Sequence, residues 1–141
     1  MSDPYDLRRF VETQATTYEG ALAELRRGRK ASHWIWYIFP QIAGLGMSAM
    51  SQHYSISCLD EARAYLEHPL LGPRLIECTR AVNAIEGRSA YEILGPPDDM
   101  KFRSSLTLFA TAAPENPIFA EALARYFGGE PDPLTLEKLG A

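Results

Sequence analysis

In the stretch Pro97-Asp98-Asp99-Met100-Lys101-Phe102-Arg103-Ser104-Ser105, Lys101 and Ser105 stand four residues apart behind a pair of aspartates. On a helix that spacing puts the lysine and the serine on one face, beside Phe102 and Leu106 at the same spacing. Such an ammonium can clamp an anion, and a neighbouring carboxylate can act as a base or accept a sugar hydroxyl. Asp98 and Asp99 are therefore candidate catalytic groups. The structural alternative is plain: aspartates in a first helical turn complement the positive end of the helix dipole. Neither a hydrolase triad nor a nucleophile elbow accompanies them.

A second constellation is Ser32-His33-Trp34-Ile35-Trp36-Tyr37-Ile38-Phe39-Pro40-Gln41, which holds both tryptophans of the chain. Histidine changes charge near neutral pH, so His33 is a third candidate for proton transfer, or else a helix-start hydrogen bond. Trp34 and Trp36 lie about 200° apart on a helix. One packs inward, leaving the other free to stack on a ligand ring or to join the core from a second side.

Polar side chains on faces that should be dry add to the set. Gln14 interrupts the apolar stripe of the first helix one turn before Tyr18, and a buried amide needs a partner, either a neighbouring backbone or a ligand. Arg26-Arg27-Gly28-Arg29-Lys30 follows the end of that helix, where cations complement the dipole or form a phosphate-binding rim. Gly44-Leu45-Gly46-Met47-Ser48 reads as a turn, since it lacks the third glycine and the preceding strand of a phosphate loop.

The elements that must position these groups are helices. Leu7, Phe10, Val11, Gln14, Tyr18, Ala21, Leu22 and Leu25 follow a 3.6-residue period, predicting a helix from near Asp3-Pro4 to Gly28. A short helix from Ser32 ends at Pro40, and another runs from Met47 to about Tyr54. Ser57 with Asp60 reads as the cap of a helix ending before Pro69. A longer helix spans about Gly72 to Ile85, and Ser89 with Glu92 forms a capping box for one ending at Leu94. Asp98-Asp99 opens a helix with Phe102, Leu106 and Phe109 on its inner face. Asn116-Pro117 and Asp132-Pro133 start the last two. With no sustained strand alternation and no internal repeat, the expectation is an all-α, single-domain bundle of about seven or eight short to medium helices.

Composition bounds the function. A chain of 141 residues, 46% hydrophobic and 23% charged, suits one globular domain, and a net charge of -4 argues against general nucleic-acid binding. The charge-free run from Ala31 to Leu59 is long enough to raise the question of a membrane span. Its intensely apolar part is only about seven residues, however, where about 20 are needed. Cys58 and Cys78, with an acidic N-terminus unlike a leader, point to a reducing cytoplasm and free thiols on helices. The three histidines make no metal-ligand spacing, and no cofactor is indicated.

The residues Arg9-Phe10-Val11, Gln14, Tyr18, Gly28-Arg29-Lys30, the run from Ser32 to Gln41, Gly44-Leu45-Gly46, His68-Pro69, Ile93-Leu94-Gly95 and Asp98-Asp99 with Lys101 and Ser104-Ser105 resemble the bacterial domain-of-unknown-function family numbered eighteen-ten. The resemblance covers nearly the whole chain. It implies an all-helical small cytosolic protein of unassigned activity. Automated descriptions sometimes call such proteins calpastatin, although calpain-inhibitor segments are disordered repeats and this chain is patterned to fold. Lys101-Phe102 with Phe119, Leu123 and Gly128 also faintly resembles helical proteins acting on ADP-ribose-related N-glycosides, without their acidic and tryptophan signatures.

The functional expectation is a polar pocket at a helix junction, lined by Gln14, Tyr18, Lys30, His33, Trp36, Gln41, Lys101 and Ser105. Its ligand would be small, anionic and nucleotide- or ADP-ribose-like, and hydrolysis would fall to His33, Asp98 or Asp99. The competing expectation is a protein-interaction module with an exposed aromatic patch.

Overall fold

A computed structural model describes residues 3–140, and the described residues form nine helices and no sheet. They are α1 (Arg8–Arg27), α2 (Ile35–Ile38), α3 (Ala49–His53), α4 (Leu59–Glu67), α5 (Leu71–Asn83), α6 (Ala90–Leu94), α7 (Asp98–Ala112), α8 (Ile118–Phe127) and α9 (Pro133–Leu139). The all-α expectation holds, with slightly more helices than the seven or eight read from the pattern.

α1 buries Phe10, Gln14, Tyr18, Ala21, Leu22 and Leu25, the stripe its periodicity predicts. It begins at Arg8 rather than near Asp3-Pro4, because Asp6 adopts a left-handed φ of 52° that interrupts the helical path. The Asp3 carboxylate instead accepts hydrogen bonds from the Leu7 and Arg8 amides at 2.9 and 3.0 Å. Gly28, at φ 78°, closes the helix in the left-handed conformation that glycine adopts without cost.

The capping box of α6 is present as expected, with Ser89 and Glu92 exchanging hydrogen bonds. The cap of α4 differs. Glu61, not Asp60, accepts from the Ser57 amide and hydroxyl at 2.9 and 2.7 Å, and Cys58 is the residue at the cap rather than within the helix.

α7 is the axis of the bundle, packing against α2, α4, α6, α8 and α9. Its six residues from Ser104 to Phe109 are all buried, so it is enclosed on every side rather than along the single face of Phe102, Leu106 and Phe109. Buried Ser104, Ser105 and Thr107 hide that enclosure from a hydrophobicity pattern. Phe39 meets Phe102 edge-on at 4.7 Å, while Tyr65 links Phe10 and Phe109 at 5.1 and 5.4 Å. These edge and tilted contacts are the arrangement that ring quadrupoles favour.

The charge-free run is interior in its aromatic segment and at Ile42, Tyr54 and Ile56, whereas the stretch through α3 is mostly exposed. Trp34, Ile35, Tyr37, Ile38, Phe39, Ile42, Tyr54 and Ile56 all belong to the core, each large side chain contributing about 1.5 to 3 kcal/mol by leaving water. Among the described residues no helix is long and apolar enough to cross a membrane.

Candidate functional site

Glu24, in the last turns of α1, fixes the aromatic segment. Its carboxylate accepts from the Ala31 amide at 2.7 Å, the Ser32 amide at 2.9 Å, the Ser32 hydroxyl, and the Trp34 indole N–H at 2.9 Å. Burial opposes its ionisation, but the Ser32 hydroxyl, the two amides and the indole outweigh it and hold the carboxyl down at about 2. Trp34 is thereby locked in the core. Gln14 adds a second tie: its amide donates to the Tyr37 carbonyl at 2.7 Å and the Tyr65 hydroxyl at 3.2 Å, and accepts from Arg74 at 3.4 Å. A buried amide of this kind joins α1 to the backbone of α2.

With Trp34 turned inward, Trp36 is left half-buried on the other side of α2. Lys101 Nζ lies 5.3 Å from the centre of its ring, and the Trp36 indole N–H is buried without a hydrogen-bond partner. One turn along α7 from Lys101, the Ser105 hydroxyl is also buried and unpartnered. A cavity of about 300 Å³ opens beside Lys101, with Gln41, Ser104 and Asp132 contributing its polar lining. Leu45, Met100 and Leu134 supply apolar wall, the last two exposed at 46% and 57%.

The two lysines that lie over tryptophan rings differ in pairing. Lys30 Nζ is paired with Asp98 Oδ2 at 2.8 Å, over the Trp34 ring at 5.1 Å. Lys101 has the equivalent ring but no ion-pair partner among the described residues. Asp98 is therefore already neutralised. Asp99 lies about 160° around α7 from Lys101 at 100° per residue, so the two aspartates do not converge with the lysine on one point. Asp99 Oδ1 is buried without a partner at its own position.

Lys101 thus meets Trp36 across its ring and shares the cavity with Gln41, while Ser105 lies one turn along α7 outside the lining and the remaining candidates lie elsewhere. Tyr18 donates its hydroxyl to Glu77 and stacks with Arg74 on α5, where burial and then the Glu77 bond push its pKa up. His33 is exposed, and its backbone carbonyl accepts from the Tyr37 hydroxyl at 3.3 Å. The Gly44-to-Ser48 stretch is a turn, closed by Ala43 and Ile56 amide bonds across an isolated bridge and leading into the Ser48 cap of α3. Glu24 is the residue that sequence reasoning missed. Its signal was positional: a carboxylate in phase with the buried stripe, three residues after Ala21.

A family model described as "Protein of unknown function (DUF1810)" matches residues 4–139. Among solved structures the chain is similar to the conserved hypothetical protein Rv1873 from Mycobacterium tuberculosis, at 54% identity and a TM-score of 0.97 over 99% of each chain. A comparison with curated proteins gives no match.

Proposed function

We propose, for a chain that belongs to the DUF1810 family of proteins of unknown function, that the cavity beside Trp36 and Lys101 binds a small anionic ligand, nucleotide- or ADP-ribose-like in its phosphate-bearing part. The observation that carries this reading is Lys101, a half-buried residue whose ammonium has no ion-pair partner among the described residues, set against the paired ammonium of Lys30. A ring face returns only about 0.5 to 2 kcal/mol to an ammonium, less than a hydrogen-bonded opposite charge can. An incoming anion supplies that charge. Of the groups that line the cavity, Gln41 offers an amide and Ser104 a hydroxyl; Trp36, under Lys101, and Ser105, one turn along α7, each hold a buried polar atom without a partner outside that lining.

The cavity, at about 300 Å³, lies at the small end of ligand sites. That size suits a sugar phosphate or one end of a nucleotide rather than a whole dinucleotide. The reading is for binding, not hydrolysis: Asp98 is held by Lys30, and the cavity's own carboxylate, Asp132, already accepts from Thr135 at 3.0 and 2.6 Å. A thermal-shift screen of nucleotides and sugar phosphates tests it, because a ligand that binds the native state raises its midpoint. The expected outcome is a stabilising ligand whose affinity drops about tenfold or more in Lys101→Ala while the unliganded midpoint stays put. Equal affinity in the variant contradicts the reading.

A protein partner is the second reading, favoured by Met47, Met100 and Leu134, exposed at 84%, 46% and 57% on or next to the same cavity. It predicts an association lost in Met47→Ser/Leu134→Ser.

A further inference from the structure

A cleft of about 540 Å³, sharing no lining residue with the Lys101 cavity, opens between the C-terminal turns of α1 and α5. Arg26 and Arg27 come to it from α1, Arg80 from α5, and Arg88 from the loop before α6. Two carboxylates, Glu77 and Glu86, stand among them. Glu77 is occupied, accepting the Tyr18 hydroxyl on one oxygen and lying 3.7 Å from Arg26 on the other. Arg27, Arg80 and Arg88 have no ion-pair or hydrogen-bond partner among the described residues. In a chain of net charge -4 this is a local reversal of sign.

Arginines at helix C-termini ordinarily serve the terminal carbonyls. Here several of those carbonyls already have other donors. The Gly28 and Arg29 amides bond to the Glu24 and Leu25 carbonyls in the last turn of α1, while Arg125 and Tyr126, both from α8, bond to the carbonyls of Ile85, just past α5, and Val82, in its last turn. The guanidinia of Arg27, Arg80 and Arg88 are left over, and Arg88 is carried in by lying against Gly28, within 3.6 Å of where a Cβ would stand.

We propose that this cleft binds a small ligand carrying two or more phosphate groups, of the nucleoside polyphosphate type. Planar guanidinium forks match phosphate oxygens two at a time, and several around one cleft match several phosphates. Ala81, Ala84 and Ile85 give the non-phosphate body an apolar floor, and the volume lies within the range of small-molecule sites. The cleft is local, whereas a nucleic-acid strand needs an extended basic track.

The test is calorimetry on the full chain with ATP and with inorganic tripolyphosphate, in metal-free buffer at about 0.15 M salt. ATP is expected to bind more tightly than tripolyphosphate, with both weakening as salt rises. Arg80→Gln/Arg88→Gln should weaken ATP about tenfold or more, while Lys101→Ala leaves it unchanged. The arginines are exposed, so the variant should melt within about 2 °C of the parent. If it does not, Arg27→Gln carries the same comparison. Absence of binding by both probes at about 1 mM overturns the proposal. So does a loss that follows Lys101 instead of the arginines, or tighter binding of a single-stranded oligonucleotide than of ATP.

Discussion

Replacing Glu24 by glutamine keeps the shape of the side chain and removes its charge, which isolates what the carboxylate does for the aromatic segment. The structure sets the magnitude. The carboxyl falls from an ordinary 4.5 to about 2, and each unit is worth about 1.4 kcal/mol, so the ionised group contributes about 3 kcal/mol at neutral pH. A depressed folded-state pKa gives stability that is fully present above the unfolded value and is lost as pH falls through the folded one. Glu24→Gln should therefore lie about 2 to 3 kcal/mol below the parent at about pH 7 and 5, with the gap narrowing below pH 4.5 and largely closed near pH 2. Urea unfolding followed by far-UV circular dichroism across that range measures it. A variant within about 0.5 kcal/mol of the parent at neutral pH refutes the reasoning, as does a deficit that stays constant into acid.

Two further outcomes follow from packing. A Cβ at Gly72 would come within 2.0 Å of the Leu66 carbonyl oxygen, so Gly72→Ala should force α5 off α4 and cost about 2 to 3 kcal/mol; near-parental stability in denaturant would show the contact to be soft. Cys78 is fully buried, and burial pushes its thiol up to about 12, while Cys58 is half-exposed. Iodoacetamide with mass spectrometry should label Cys58 in the native protein and Cys78 only after unfolding, and a native Cys58–Cys78 bridge would contradict the structure.

How far the sequence carried is best seen residue by residue. The α1 stripe, the Ser89–Glu92 box and the glycine and proline stops were legible because they depend on neighbours within four residues. The enclosure of α7 was not, since Ser104 and Thr107 bond to carbonyls one turn back and to Asp132, Ser105 is buried without a partner, and none of the three carries a hydrophobic signal. Lys101 and Ser105 were singled out by spacing; Lys101 lies over Trp36 and lines the cavity, while Ser105 is buried one turn further along α7 and does not. The partner of Asp98 was not found. Lys30 is 68 positions away, and no local pattern distinguishes that lysine from Lys101, three positions further along α7. Glu24 was passed over because a glutamate near a helix end reads as solvent-facing until its four donors are seen together.

The central claim concerns Trp36 and Lys101, and the two indole N–H signals of a nitrogen-15 proton spectrum report on it directly. Trp34 is bonded to Glu24, while the Trp36 indole is buried and unpartnered beside Lys101, so the two signals differ in environment and Trp36→Phe assigns them. On titration with the stabilising sugar phosphate or nucleotide, the Trp36 indole should shift and saturate while that of Trp34 stays in place, and Lys101→Ala should abolish the shift. A Trp36 signal that stays still while the ligand binds, or one that shifts equally in Lys101→Ala, contradicts the account.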